Sequence, residues 1–177
     1  MNTSECILTR RSVRKFQDKP VDRALFEEVV SLAAWAPSWK NTQITRYLAI
    51  SSREEIETIA RDYAPFNGYI LSSCPLLVAV SVVKKRSGYE RDGSPSTERG
   101  DGWQMFDCGI ATQTLCLAAH DKGLGSVIMG VFDRPGLEKH LNIPPERELV
   151  ALVAMGWPAE EPKAPRRKGV EDLLEWR

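Results

Sequence analysis

The chain has 177 residues, 42% of them hydrophobic and 27% charged, enough for one domain with a buried core or for one subunit of an assembly. Its 24 basic and 24 acidic residues cancel, which speaks against a dedicated nucleic-acid binder, and its longest apolar run, 75–83, is too short to cross a bilayer. No basic-then-apolar leader pattern opens the sequence, which points to a cytoplasmic protein. The 4 cysteines are scattered without CxxC spacing and there are only 2 histidines. Free, mostly buried thiols are therefore expected, and a zinc site is not.

Residues 4–10 form a short amphipathic segment with Ser4 placed to cap it. The stretch that follows, Arg10-Arg11-Ser12-Val13-Arg14-Lys15-Phe16, gathers four cations and a hydroxyl in an otherwise neutral chain. Guanidinium groups present a rigid fork of donors that suits a phosphate, and a serine hydroxyl adds a shorter bond. In a helical or turning backbone Arg10 and Arg14 share a side, which is enough to grip one phosphate and too little to track a polyanion. A solvated basic turn is the plainer alternative. Next, Asp22 is a good N-cap, and Leu25, Val29, Leu32 and Ala33 recur at helical spacing. This helix is expected to run to about Trp35, with Pro37 as its stop.

Ala36-Pro37-Ser38-Trp39-Lys40-Asn41-Thr42-Gln43 is a polar loop between a helix and a strand. The Asn41 and Gln43 amides carry both donors and acceptors, so they suit a ring edge that alternates carbonyls and N–H groups. Ordinary turn chemistry accounts for the same residue types. Residues 47–51 read as a strand, and Ser52-Arg53-Glu54-Glu55 as a capping box opening a helix to about Asp62. The run 75–83 is continuously apolar and β-branched, as in a strand covered on both faces. Residues 84–102 make a long polar loop suited to a mobile lid over a site. A helix over 103–122, apolar nearly all round, belongs in the centre of the protein or at a subunit interface, and Gly123 is its natural C-cap. Strands at 126–131 and 149–156 flank a short helix at 134–141. A proline-rich tail, 158–168, is expected to be extended and ends in Arg166-Arg167-Lys168, after which helical spacing resumes over 170–176. His120 and His140 read as structural residues, and Asp107 and Cys108, on the buried helix, as packing or interface residues.

In order and spacing, these stretches resemble the nitroreductase family of FMN-dependent oxidoreductases. The resemblance rests on 10–16, on 36–43, on the helix from Trp103 that ends in Lys122-Gly123-Leu124-Gly125, and on Met155-Gly156-Trp157-Pro158 with its basic tail. It covers nearly the whole chain. It implies an α+β fold with a central, mostly antiparallel sheet flanked by helices. It implies one domain over 1–177, with 158–177 as a C-terminal arm, in an intertwined homodimer with two FMN sites at the subunit interface. Arg10, Ser12 and Arg14, with Arg11 beside them, would hold the FMN phosphate, and Arg166 or Arg167 would complete that grip. Pro37, Ser38 and Asn41 would line the isoalloxazine ring, partly from the partner. Gln43 would lie near the flavin and its ribityl chain, and the backbone around Ile128, Met129 and Gly130 would face the edge near N5.

Two features depart from the family pattern. Ile44-Thr45-Arg46 follows the glutamine where many relatives carry a proline and an aromatic residue. Trp39 stands where small residues are frequent, and there it would narrow the pocket or stack on a substrate. The implied activity is ping-pong hydride transfer from NAD(P)H through flavin N5 to a nitroaromatic, a quinone or a similar small acceptor. No side chain is needed as general acid, and Lys15, Lys40 and Arg46 are candidate donors toward N1 and O2. Enone reduction, dehalogenation and flavin destruction on the same scaffold remain open, as does a non-catalytic FMN-binding redox protein.

Overall fold

A computed structural model describes all 177 residues. Helix α1, Thr3–Thr9, is capped by Asn2, whose side chain accepts from the Glu5 N–H, and not by Ser4. Helix α2, Arg23–Ala33, opens on the Asp22 carboxylate, which accepts from Ala24 N–H at 2.7 Å. It buries Phe26, Val29 and Ala33 and stops two residues short of Trp35. Strand β1 is Thr45–Ile50. Helix α3, Arg53–Thr58, takes its cap from the Ser52 hydroxyl and relaxes into a π turn, Ile59–Tyr63. A short helix α4, Gly68–Leu71, leads to strand β2, Leu76–Val83. Then come the long helix α5, Gly102–Asp121, strand β3, Gly125–Met129, helix α6, Arg134–His140, and strand β4, Arg147–Gly156. Gly123 takes φ +82 behind α5, the left-handed C-cap its sequence position calls for. No helix is long and apolar enough to cross a membrane.

The four strands form one sheet in the order β1-β2-β4-β3, and every neighbouring pair is antiparallel. The fold is therefore α+β, with helices on both faces of an antiparallel sheet. Strand side chains alternate between faces, and β2 shows why its sequence is apolar throughout. Leu76, Val78, Val80 and Val82 pack with α2 and α5, through Phe26, Val29, Leu115 and Ala119. Leu77 and Ala79 pack on the other side with Ile56, Ile59, Leu71 and Leu137. Each fully buried Leu, Ile or Val contributes about 1.5–3 kcal/mol by leaving water, so both faces hold the sheet in place.

The cationic stretch is seated on this sheet by its two apolar members, Val13 and Phe16, each 5% exposed. Gly125 and Gly156 are direct partners across β3 and β4 and leave the space these side chains fill. A Cβ on Gly125 would come within 2.8 Å of Val13, and one on Gly156 within 3.1 Å of Phe16. Val13 N–H donates to Ser126 O at 3.1 Å, and Ser12 bridges Ser126 in parallel. After β4 the chain returns along the same stretch. Gln17 N–H donates to Trp157 O at 2.9 Å and Ala159 N–H to Lys15 O at 3.0 Å. The start of the C-terminal arm is thereby registered against residues 15–17.

Candidate functional site

With Val13 and Phe16 pointing into the sheet, the polar members of the stretch are left outward. Arg14 and Lys15 are exposed, while Arg10, Arg11 and Ser12 are half-buried. None of Arg10, Arg11, Arg14 and Lys15 forms an ion pair, nor do Arg166 and Arg167, which are exposed on the arm. Arg11 instead donates to Leu8 O at 2.7 Å and Arg10 O at 2.9 Å, and Arg14 to Ser12 O at 3.2 Å. One acidic side chain hydrogen-bonds to the stretch: Glu160, on the arm, accepts from Arg14 N–H at 2.7 Å. His120, against Thr9 Oγ1 at 2.9 Å, reports the local field. Burial lowers its pKa below the usual histidine value, and the Arg10 and Arg11 charges push it in the same direction. Uncompensated cations at a half-buried surface attract an anion.

The 36–43 loop folds as a tight 3-10 turn, Trp39–Asn41. Lys40, Asn41 and Gln43 adopt φ of 43°, 54° and 47°. Left-handed conformations of non-glycine residues cost about 1–3 kcal/mol each unless the surroundings impose them. Here they are imposed. Ser38 Oγ accepts from Gln43 N–H at 3.0 Å, Gln43 Nε2 donates to Asn41 Oδ1 at 3.1 Å, and Arg46 donates to Gln43 O at 2.7 Å. From α5, the buried Asp107 carboxylate accepts from Trp39 N–H at 2.9 Å. Two buried polar atoms of the turn, Trp39 Nε1 and Thr42 Oγ1, have no partner in the chain. Pro37, Ser38, Gln43 and Asp107 line a groove of about 740 Å³ whose apolar walls include Phe26 and Tyr47. Tyr47 donates to Ala111 O at 3.3 Å, and burial pushes its phenol pKa up. The phenol stays protonated at neutral pH.

The 84–102 loop, expected as a mobile lid, is tied down at several points. Ser87 is buried and donates to Asp107 at 2.6 Å. Tyr89 donates to Asp101 at 2.7 Å, and the Trp103 indole to Thr97 at 2.8 Å. Lys40 pairs with Glu90 at 2.8 Å, and the Trp39 and Trp103 rings lie 4.8 Å apart. The loop is thus an extension of the 38–43 turn. These contacts also sort the three candidate donors, because Lys40 is engaged by Glu90, Arg46 holds the Gln43 and Thr45 carbonyls, and Lys15 is free.

The anticipated residues gather in two places. Arg10, Arg11, Ser12 and Arg14 lie beside β3, which carries Ile128 (49% exposed) and Met129 (4%) and is followed by the exposed Gly130. Pro37, Ser38, Trp39, Asn41 and Gln43 lead into β1, at the opposite edge of the sheet. Three strand spacings separate these edges, roughly 14 Å. In the sequence Asp107 reads as a packing or interface residue, and nothing singles out Glu160. The available signal was an acid in the middle of an apolar helix, but its partners, Trp39 and Ser87, lie 68 and 20 residues away. His140, paired with Glu55 at 2.8 Å and packed on Tyr63, is structural as read.

The sequence matches the model of the nitroreductase family over residues 7–67 and 60–157. A protein from Methanothermobacter thermautotrophicus, provisionally named an NADH dehydrogenase/NAD(P)H nitroreductase, is 31% identical over 99% of this chain and 84% of its own length. A nitroreductase family protein from Streptococcus pneumoniae has the same fold, with a TM-score of 0.87 over 99% of this chain and 100% of that one at 20% identity. A Desulfovibrio desulfuricans protein solved in complex with FMN is 26% identical and matches with a TM-score of 0.79, covering 100% of this chain and 98% of that one.

Proposed function

Because the chain belongs to the nitroreductase family, we propose that it is an FMN-dependent NAD(P)H oxidoreductase whose flavin sites are each shared between two copies. Its acceptors are nitroaromatics, quinones or similar small molecules. The relative named for NAD(P)H nitroreductase activity and the neighbour solved with FMN support the cofactor and the donor.

The observation that carries the shared site is the separation of its two halves. An unpaired cation cluster stands at the β3 edge, and a strained, amide-bearing turn stands at the β1 edge. With the sheet and its covering helices between the two halves, we infer that the phosphate grip and the ring-reading turn that meet one FMN belong to different chains. A second copy, related by a two-fold axis, supplies the missing half to each site. Helix α5 offers a surface for that contact. Gly102, Met105, Phe106, Gly109 and Gln113 form an exposed stripe at helical spacing, and Phe106 is 59% exposed.

The residues present fit the group. Arg10, Ser12 and Arg14 would hold the phosphate, joined by Arg166 or Arg167, because these cations lack internal counter-ions. Asn41 and Gln43, both exposed, would meet the ring edge. FMN, when bound, supplies the two-electron chemistry between NAD(P)H and the acceptor. The chain's own residues hold, orient and exclude water. Lys15, the one free cation of the three candidates, would stabilise negative charge at the ring's pyrimidine edge. Ser38 and Pro37 keep the ring face open to the apolar groove, so donor and acceptor would use the same face in turn.

The test is the visible spectrum of the freshly purified protein. Oxidised-flavin bands are expected, at one FMN per chain, and should bleach when NAD(P)H is added without oxygen and return with a nitroaromatic or quinone. A colourless protein that stays colourless when FMN is supplied would overturn the proposal. A yellow protein that NAD(P)H does not bleach would overturn the catalytic part alone.

A further inference from the structure

Asp107 is the only charged side chain among the buried residues, at 3% exposure, and it takes part in none of the chain's ion pairs. A carboxylate withdrawn from water without a counter-ion is costly unless its oxygens are well hydrogen-bonded. Here two donors converge on one oxygen, the Trp39 N–H at 2.9 Å and the Ser87 hydroxyl at 2.6 Å. Those donors belong to different segments. Trp39 opens the strained turn in which Lys40, Asn41 and Gln43 are left-handed. Ser87, itself 0% exposed, lies near the start of the 84–102 loop. The same two segments meet a second time at the surface, where Lys40 pairs with Glu90. An exposed pair of that kind holds little, which leaves the Trp39–Trp103 ring contact and the buried junction at Asp107, the one place where both segments hydrogen-bond to the same atom.

We propose that Asp107 is a positioning residue: it holds the 38–43 turn in the conformation that presents Asn41 and Gln43 to the flavin ring, and it locks the 84–102 loop to that turn. It acts through the Trp39 amide and the Ser87 hydroxyl, not by contact with the reacting atoms. This role rests on the flavin site proposed above, so the first readout is one that needs no flavin.

The experiment uses the full-length protein and the variants Asp107→Ala, Asp107→Asn and Ser87→Ala. Without added cofactor, hydrogen exchange at the Trp39 amide should accelerate by on the order of tenfold in Asp107→Ala. Asp107→Asn, which keeps an acceptor oxygen for both donors, should restore most of the protection. In FMN titrations, Asp107→Ala should weaken binding by about tenfold and displace the absorbance bands of the bound flavin. Asp107→Asn should stay within about threefold of the wild type, and Ser87→Ala should fall between them. Unchanged Trp39 exchange and unchanged FMN affinity in Asp107→Ala would overturn the proposal. If Asp107→Ala does not fold, Ser87→Ala decides, and wild-type exchange and affinity there would overturn it too. A wild type that binds no FMN removes the flavin site and leaves the Trp39 exchange as the measure of Asp107.

Discussion

Replacing Gly125 by alanine tests how the cationic stretch is held. The new Cβ would sit 2.8 Å from Val13 Cβ and Cγ2 and 3.0 Å from Cγ1, about 0.7–1.2 Å inside ordinary carbon–carbon contact. No side-chain rotation relieves this, because Val13 Cβ is itself one of the atoms met. Gly125 lies within β3, and its φ is not left-handed, so the effect is steric rather than conformational. Either β3 shifts or residues 12–16 lift. β3 is held by its ladder to β4, whereas beside Gly125 the stretch has one backbone bond, Val13 N–H to Ser126 O, and its other ties lie further along at Arg14, Lys15, Phe16 and Gln17, so the segment around Val13 should give first. Overpacking of this kind costs about 1–3 kcal/mol, which for a chain of this size lowers Tm by roughly 2–12 °C. Moving the cations by about 1 Å also misaligns charge-assisted bonds worth about 1.5–3 kcal/mol, so FMN affinity should fall by about tenfold or more. Thermal melts and FMN titrations on the same preparations measure both effects. Gly68→Ala, whose new Cβ meets nothing within 4 Å, should leave flavin binding unchanged and not lower Tm. Wild-type Tm and affinity in Gly125→Ala would refute the seating of the stretch through Val13.

Arg14→Ala should weaken FMN binding by about 10–100-fold, the loss of one charge-assisted partner, with little change in Tm; equilibrium titration measures it, and unchanged affinity counts against Arg14 as a phosphate ligand. Phe106→Glu should shift the sedimentation profile from dimer toward monomer and lose flavin in parallel, because the exposed α5 stripe and the shared site would fail together. The depressed pKa of His120 predicts a limb of acid instability. The unfolded chain, with the ordinary histidine value of 6.5, takes up its proton before the folded chain does. This contribution is therefore complete above pH 6.5 and is lost as pH falls from there through the lower folded-state value. His120→Gln should flatten Tm against pH over that interval.

Much of the architecture was legible because local signals and tertiary demands agreed. Asp22 and Ser52 cap the helices their sequences announce, and the unbroken apolar run of β2 became a strand covered on both faces. Where the two parted, packing won. Helical spacing over 170–176 yielded only the 3-10 turn Val170–Asp172, with Trp176 88% exposed, since a short amphipathic segment without a surface to bury against is a marginal helix. Strand β4 begins at Arg147, two residues before its apolar run, because Glu148 and Arg147 pair with Val82 and Val83. For the candidate site the sequence offered two motifs, one suited to a phosphate and one to a ring edge, and only the family resemblance joined them to one cofactor. Their placement at opposite sheet edges was not legible, because strand order is set by long-range pairing. The role of Asp107 was hidden for a related reason, since a mid-helix acid reads as packing until the turn and the loop that converge on it are seen.

The shared site is tested most directly by mixing subunits. One partner carries Arg10→Ala and Arg14→Ala, the other Asn41→Ala and Gln43→Ala, and each variant alone should retain little FMN. Refolded together, a mixed pair should regain one intact site, built from the cations of the second chain and the turn of the first. The prediction is one FMN per mixed dimer with NAD(P)H-dependent bleaching. No recovery of flavin in mixed dimers that demonstrably form would contradict a site assembled across two copies.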